Sequence, residues 1–151
     1  MAALAPVHLI GGNGGGDFYI NGAHKGAILK RIRVWVGGWM IRGIEVQLSD
    51  GESQMFGSVD GGAREFTFQI GEKIAWLSLW GNGAGTRLGA IKFGTTHRRE
   101  FFAKMTDWGL KTEYKMEVGS GICVGLQGKC GADIDCAGFL FIKDGHSLTL
   151  R

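Results

Sequence analysis

Two short stretches carry groups that can grip a small ligand. Gly11-Gly-Asn-Gly-Gly-Gly16 strings glycines together, so its backbone N–H and C=O groups stand clear of side chains and a ligand can approach the main chain closely. Gly131-Ala-Asp-Ile-Asp135 places carboxylates in a turn that opens a strand. A carboxylate accepts hydrogen bonds from two neighbouring hydroxyls at once, while the N–H groups of Ala132 and Asp133 can donate to the same ring oxygens. That pairing suits a sugar ring. A phosphate cradle is the rival reading of the glycines, but the Gly-x-Gly-x-x-Gly spacing, the Lys-Ser or Lys-Thr pair and the following helix pattern are all missing. Plain turns and Asp side chains that cap them are the bland alternatives.

The elements that must position these loops repeat. Ile41-Arg-Gly-Ile-Glu-Val-Gln-Leu48, Leu88-Gly-Ala-Ile-Lys-Phe-Gly-Thr95 and Ile134-Asp-Cys-Ala-Gly-Phe-Leu-Phe141 each follow a Gly-rich turn and an earlier strand, at near-equal spacing. The second position of this unit is Arg42, then Gly89, then Asp135, so the acid belongs to one copy only and is not a requirement of the hairpin. Period-two alternation runs through Ile32, Val34 and Val36 against Arg31, Arg33 and Trp35, with Ile44, Val46 and Leu48 against Glu45 and Gln47. Phe66, Phe68 and Ile70 form a further apolar face, as do Ala75, Leu77 and Leu79 against Trp76, Ser78 and Trp80. No segment sustains a 3.6-residue period. The pattern predicts an all-β domain of three similar sheets around one core, related by a pseudo-threefold axis. The five tryptophans read as core or sheet-face residues rather than ligand stackers.

Composition narrows the function classes. The 151 residues amount to one domain, and 28 glycines beside a single proline mark tight turns rather than a disordered tract. A net charge of +3 is far from the clustered basic face that phosphate backbones require, and Lys30-Arg-Ile-Arg33 and Arg98-Arg99 are too short to supply one. Nucleic acid is therefore not an expected partner. Zinc is not expected either, because His8, His24, His97 and His146 are scattered and no paired Cys-x-x-Cys spacing exists. Cys123, Cys130 and Cys136 read as reduced structural residues, although Cys123 and Cys136 flank one hairpin and could pair across it. Glycosidase chemistry is disfavoured, on the expectation that Asp133 and Asp135 point to opposite faces and so do not flank a glycosidic bond. The segment from Met1 to Ile10 lacks the features of a signal peptide, so action outside the cell would follow non-classical release.

The Gly11–Gly16 loop, the strand Leu88–Thr95 and the closing Gly131 to Asp135 followed by Ala137-Gly-Phe resemble a jacalin-related lectin of the β-prism I fold, over nearly the whole chain. Trp80-Gly-Asn-Gly-Ala-Gly-Thr-Arg-Leu-Gly-Ala-Ile-Lys-Phe93 and Met105-Thr-Asp-Trp-Gly-Leu-Lys-Thr-Glu-Tyr114 look most like the lectin module of vertebrate natterin-like, aerolysin-like pore-forming proteins. The resemblance implies three Greek-key-like four-stranded sheets and a site that binds mannose or galactose without metal or cofactor. Carried over residue by residue, it assigns Gly14 and Gly15 to the first loop, with Gly15 an amide donor. Gly131 opens the second loop, Ala132 and Asp133 are its donors, and Asp135 is the carboxylate acceptor. Ten residues precede Gly11, and an uncut first loop implies mannose-type rather than galactose-type sugars. Ala132 and Asp133 stand where aromatic residues are common in the family, which leaves room for high-mannose or branched glycans. The expectation is one lectin domain over residues 1–151, either free-standing, with homodimerisation as a source of avidity, or a fragment of a longer lectin-plus-pore-forming chain. Membranes would be met only through their glycans.

Overall fold

The computed structural model describes residues 3–145. Its strands are β1 (Ile10–Gly11), β2 (Gly16–Asn21), β3 (Leu29–Val36), β4 (Ile41–Leu48), β5 (Ser53–Gly57), β6 (Gly62–Thr67), β7 (Ile74–Gly81), β8 (Leu88–Thr95), β9 (Glu100–Lys104), β10 (Glu113–Met116), β11 (Cys123–Cys130) and β12 (Ile134–Phe141). One 3-10 turn, Ala23–Lys25, follows β2. The strands form three four-stranded antiparallel sheets, ordered β5-β4-β3-β6, β10-β7-β8-β9 and β1-β12-β11-β2. In each, a hairpin of two long strands is flanked by two shorter ones, and the fourth strand returns beside the first in the Greek-key arrangement. β4, β8 and β12 coincide with the three repeated octapeptides, so the predicted β-prism is the fold found.

Apolar faces turn inward from all three sheets. Ile32, Val34, Ile44 and Val46 meet Leu79, Ile91 and Phe93 and, from the third sheet, Leu126, Ile134 and Ala137 in one core, all fully buried. Phe93 stacks on Phe101 with centroids 5.1 Å apart and takes the edge of Phe66 at 5.1 Å. Side chains of this size contribute about 1.5–3 kcal/mol each when removed from water.

The hairpins carry matching irregularities. Register shifts occur between Trp35 and Val36, Trp80 and Gly81, and Lys129 and Cys130 beside the turns, and again near the opposite ends. The shift between Ile74 and Trp76 corrects the expected alternation in β7, since Ile74 points inward and Ala75 is exposed. Ile70 is also fully exposed, because β6 ends at Thr67.

Cys123 lies opposite Phe141, and Cys136 lies opposite Lys129. Five residues of β12 separate the two levels, roughly 16 Å at the rise of a strand, against a Cα separation of about 4.4–6.8 Å for a disulfide. All three cysteines are free, and burial pushes the Cys123 thiol up to about 12.

At the end of the prism away from these turns, Glu72 is sealed under Arg99, whose guanidinium reaches both carboxylate oxygens at 2.5 and 3.0 Å and lies 4.4 Å over Phe66. Burial alone would raise the Glu72 pKa. Hydrogen bonds from Arg99, the Gln69 N–H and the Thr95 hydroxyl outweigh it and hold the group down at about 2. A depressed carboxylate stabilises the fold above its unfolded pKa and loses that contribution as pH falls. Between about pH 5 and 2 the melting temperature should therefore drop with a Glu72 component of about 2 kcal/mol, discounted for the partial exposure of Arg99. Melting curves of Glu72→Gln across that range should be correspondingly flatter.

Candidate functional site

Sheet order explains why two loops from opposite ends of the chain meet. β1 pairs with β12 through Gly11 opposite Cys136, and β2 pairs with β11 through Gly16 opposite Cys130. The Gly12–Gly15 connection therefore arches over the turn between β11 and β12, and the Gly12 N–H donates to the Asp135 carbonyl at 2.7 Å. At Gly14 and Gly15 the arch lies against the Asp135 side chain. A Cβ on Gly14 would stand 2.8 Å from one Asp135 carboxylate oxygen, and a Cβ on Gly15 would stand 2.6 Å from the other. Gly15 also has φ 81° and faces the Cys130 backbone at 2.8 Å.

Of the six sequence-predicted residues, Gly14, Gly15, Gly131, Ala132 and Asp133 lie on these two loops and Asp135 is the second residue of β12. Asp135 is 5% exposed at the start of β12, with its carboxylate against the glycine arch. Among the described residues, the N–H groups of Gly14, Gly15, Ala132 and Asp133 make no hydrogen bond, whereas that of Gly131 is taken by the Asp133 carbonyl at 3.0 Å. Gly14, Gly15 and Ala132 are exposed and Asp133 is half-buried. The two loops thus carry four unused backbone donors beside one nearly buried acceptor, groups of the kind that hold vicinal hydroxyls.

One residue of the cluster escaped assignment from sequence. Arg87, on the β7–β8 loop, places a guanidinium nitrogen 3.3 Å from the Asp135 carboxylate, and its Nε lies 3.6 Å from that of Asp133. The Nε is buried without a hydrogen-bond acceptor. Arg42, the β4 counterpart of Asp135, stands 4.0 Å from Asp133 and 3.4 Å from Asp60. Both site acids therefore face one guanidinium, which corrects the expectation that they point to opposite faces. Residues two apart on an extended chain share a face, so the period-two geometry that the expectation misapplied itself brings Asp133 and Asp135 to one side. Arg87 was difficult to read because its partners lie in another repeat.

Two tryptophans also depart from their expected place. Trp35 and Trp80 are buried, but Trp39 and Trp108 are exposed beside the site. No group of three or more His, Cys, Asp or Glu able to hold a metal occurs among the described residues, and His146 lies outside them.

The family model for the jacalin-like lectin domain matches residues 7–140. The chain belongs to the jacalin-like lectin domain family. As a member of it, the chain is a binding domain and not an enzyme. The crystal structure of a lamprey immune protein is similar at 61% identity and TM-score 0.90, over 91% of this chain and 44% of that one, so the chain spans under half that relative's length. A mannose-binding lectin from champedak is similar at 19% identity and TM-score 0.71, over 92% of this chain and 97% of its own. A jacalin-related lectin from Ananas comosus shows 23% identity and TM-score 0.71, over 92% and 98%. No curated protein matches the chain.

The glycine arch makes different demands at adjacent positions. Gly15→Ala forces a left-handed backbone onto a residue with a Cβ and should lower the unfolding free energy by about 1–3 kcal/mol. Gly14→Ala meets only the end of a side chain and should cost about 1 kcal/mol or less while displacing the Asp135 carboxylate. Urea denaturation of the two variants measures the difference.

Proposed function

We propose that the chain is a metal-independent lectin for mannose-containing, high-mannose or branched, cell-surface glycans, bound in the cradle between the glycine arch and the β11–β12 turn. The observation that carries this reading is the nearly buried Asp135 carboxylate against Gly14 and Gly15, with the N–H groups of Gly14, Gly15, Ala132 and Asp133 left free on the two adjoining loops. Two neighbouring sugar hydroxyls donate to the carboxylate, and ring and hydroxyl oxygens accept from the amides. Arg87 neutralises the acids at the site. Two similar structures are described as mannose-binding, in keeping with the same sugar class here.

The cradle is shallow and polar, so each new hydrogen bond replaces one to water and nets only about 0.5–1.5 kcal/mol. Affinity for a simple sugar should be on the order of millimolar. Clustered glycans or a homodimer would supply avidity. A second reading rests on length: the chain covers 44% of a relative to which it is 61% identical. In that reading the same cradle delivers a longer aerolysin-like pore-forming chain to glycans on a target cell.

A glycan array run with and without EDTA tests the proposal. Binding to mannose-type glycans should survive EDTA and weaken about tenfold or more in Asp135→Asn, which keeps the shape but loses a charge-assisted acceptor. Lack of binding by folded wild type, or equal binding by the variant, would refute it.

A further inference from the structure

The β3–β4 turn and the segment after β9 are stitched together beside the cradle. The Thr106 N–H donates to the Gly37 carbonyl at 3.1 Å and the Asp107 N–H to the Gly38 carbonyl at 2.8 Å. The residue that follows each pair is a tryptophan, so Trp39 and Trp108 stand on two loops fixed to one another. They are 43% and 66% exposed, and unlike Trp76, exposed on the face of β7, they share one groove. Together they line a groove of about 770 Å³ whose opposite wall is the Asn82–Ala84 segment, a size within the roughly 300–1,000 Å³ of ligand clefts. That wall is built rather than loose. Asn82 is 7% exposed, donates to the Thr86 hydroxyl at 3.0 Å and accepts from the Ala84 and Thr86 N–H groups at 3.2 Å.

The groove is continuous with the cradle through one side chain. The Arg87 guanidinium lies 5.9 Å from the Trp39 ring and also reaches Asp135 at 3.3 Å. A ligand leaving the carboxylate along Arg87 meets Trp39 first, and Trp108 lines the same groove. Pyranose rings present an apolar C–H face with polar groups at the rim, and this groove offers aromatic faces with Asn82 and Lys111 at the margin.

Resting on the proposed sugar site, we infer that Trp39 and Trp108 form a second saccharide subsite, which takes the next sugar of an oligosaccharide whose first residue sits at Asp135. Stacking on Trp108 extends recognition from a monosaccharide to an oligosaccharide and leaves the first contact unchanged. Surface plasmon resonance with methyl α-mannoside and a mannotriose tests this on wild type, Trp108→Ala and Trp108→Phe. Wild type should gain about tenfold from monosaccharide to trisaccharide. Trp108→Ala should lose most of that gain with monosaccharide affinity and melting temperature unchanged, and Trp108→Phe should retain much of it. A gain that persists in Trp108→Ala, or equal losses for both sugars, overturns the subsite alone. Absence of binding to either sugar by folded wild type overturns the lectin site and the subsite with it.

Discussion

The constraint on which the rest of the molecule depends is the pairing of the first two strands with the last hairpin. Two sheets are complete within continuous stretches, β3 to β6 and β7 to β10, but the third needs β1 and β2 from one end of the chain and β11 and β12 from the other. Without that closure the inner faces of Ile134, Ala137 and Phe139 have no complete sheet to belong to, and the common core is open on one side. The same ladder fixes Gly11 against Cys136 and Gly16 against Cys130, so the glycine arch can fall only over Asp135. Fold closure and site assembly are thus one event. The long sequence separation of these contacts also places the closing step among the slower kinds of strand pairing.

The pseudo-threefold architecture explains why the candidate site gathers at one end of the prism. Three equivalent hairpin turns converge there, and symmetry gives each a similar backbone. Their side chains differ: Arg42 and Trp39 come from one, Arg87 and Asn82 from the next, Asp133 and Asp135 from the third. Opposite charges drawn from separate repeats balance one another, with Arg87 between the two acids and Arg42 between Asp133 and Asp60. A repeated scaffold thereby yields a single asymmetric cluster, because only the third turn lies under the glycine arch.

Much of this was legible in the chain. The octapeptides beginning at Ile41, Leu88 and Ile134 are β4, β8 and β12 to the residue, because bounding glycine turns and apolar periodicity agree at those positions. The odd acid in the third copy marks the candidate site, because the hairpin itself does not require it. Local pattern failed where it was interrupted or carried no spatial information. The register shift in β7 turned Ala75 outward, and the end of β6 left Ile70 in solvent. Asp133 and Asp135, two positions apart, share a face by strand alternation itself, against the expectation of opposite faces. Trp39 and Trp108 are far apart in sequence, and only the backbone hydrogen bonds between their loops make them neighbours. The pairing of both ends of the chain came from family resemblance and not from periodicity.

The central claim is that sugar is bound where the glycine arch crosses the start of β12. Amide chemical-shift mapping of ¹⁵N-labelled protein during titration with methyl α-mannoside addresses it most directly. Saturable shifts concentrated at Gly14, Gly15, Ala132, Asp133 and Asp135, with little change around Ile28 and Ile74 at the other end of the prism, are the predicted result. Shifts confined to residues outside the two loops would contradict the account.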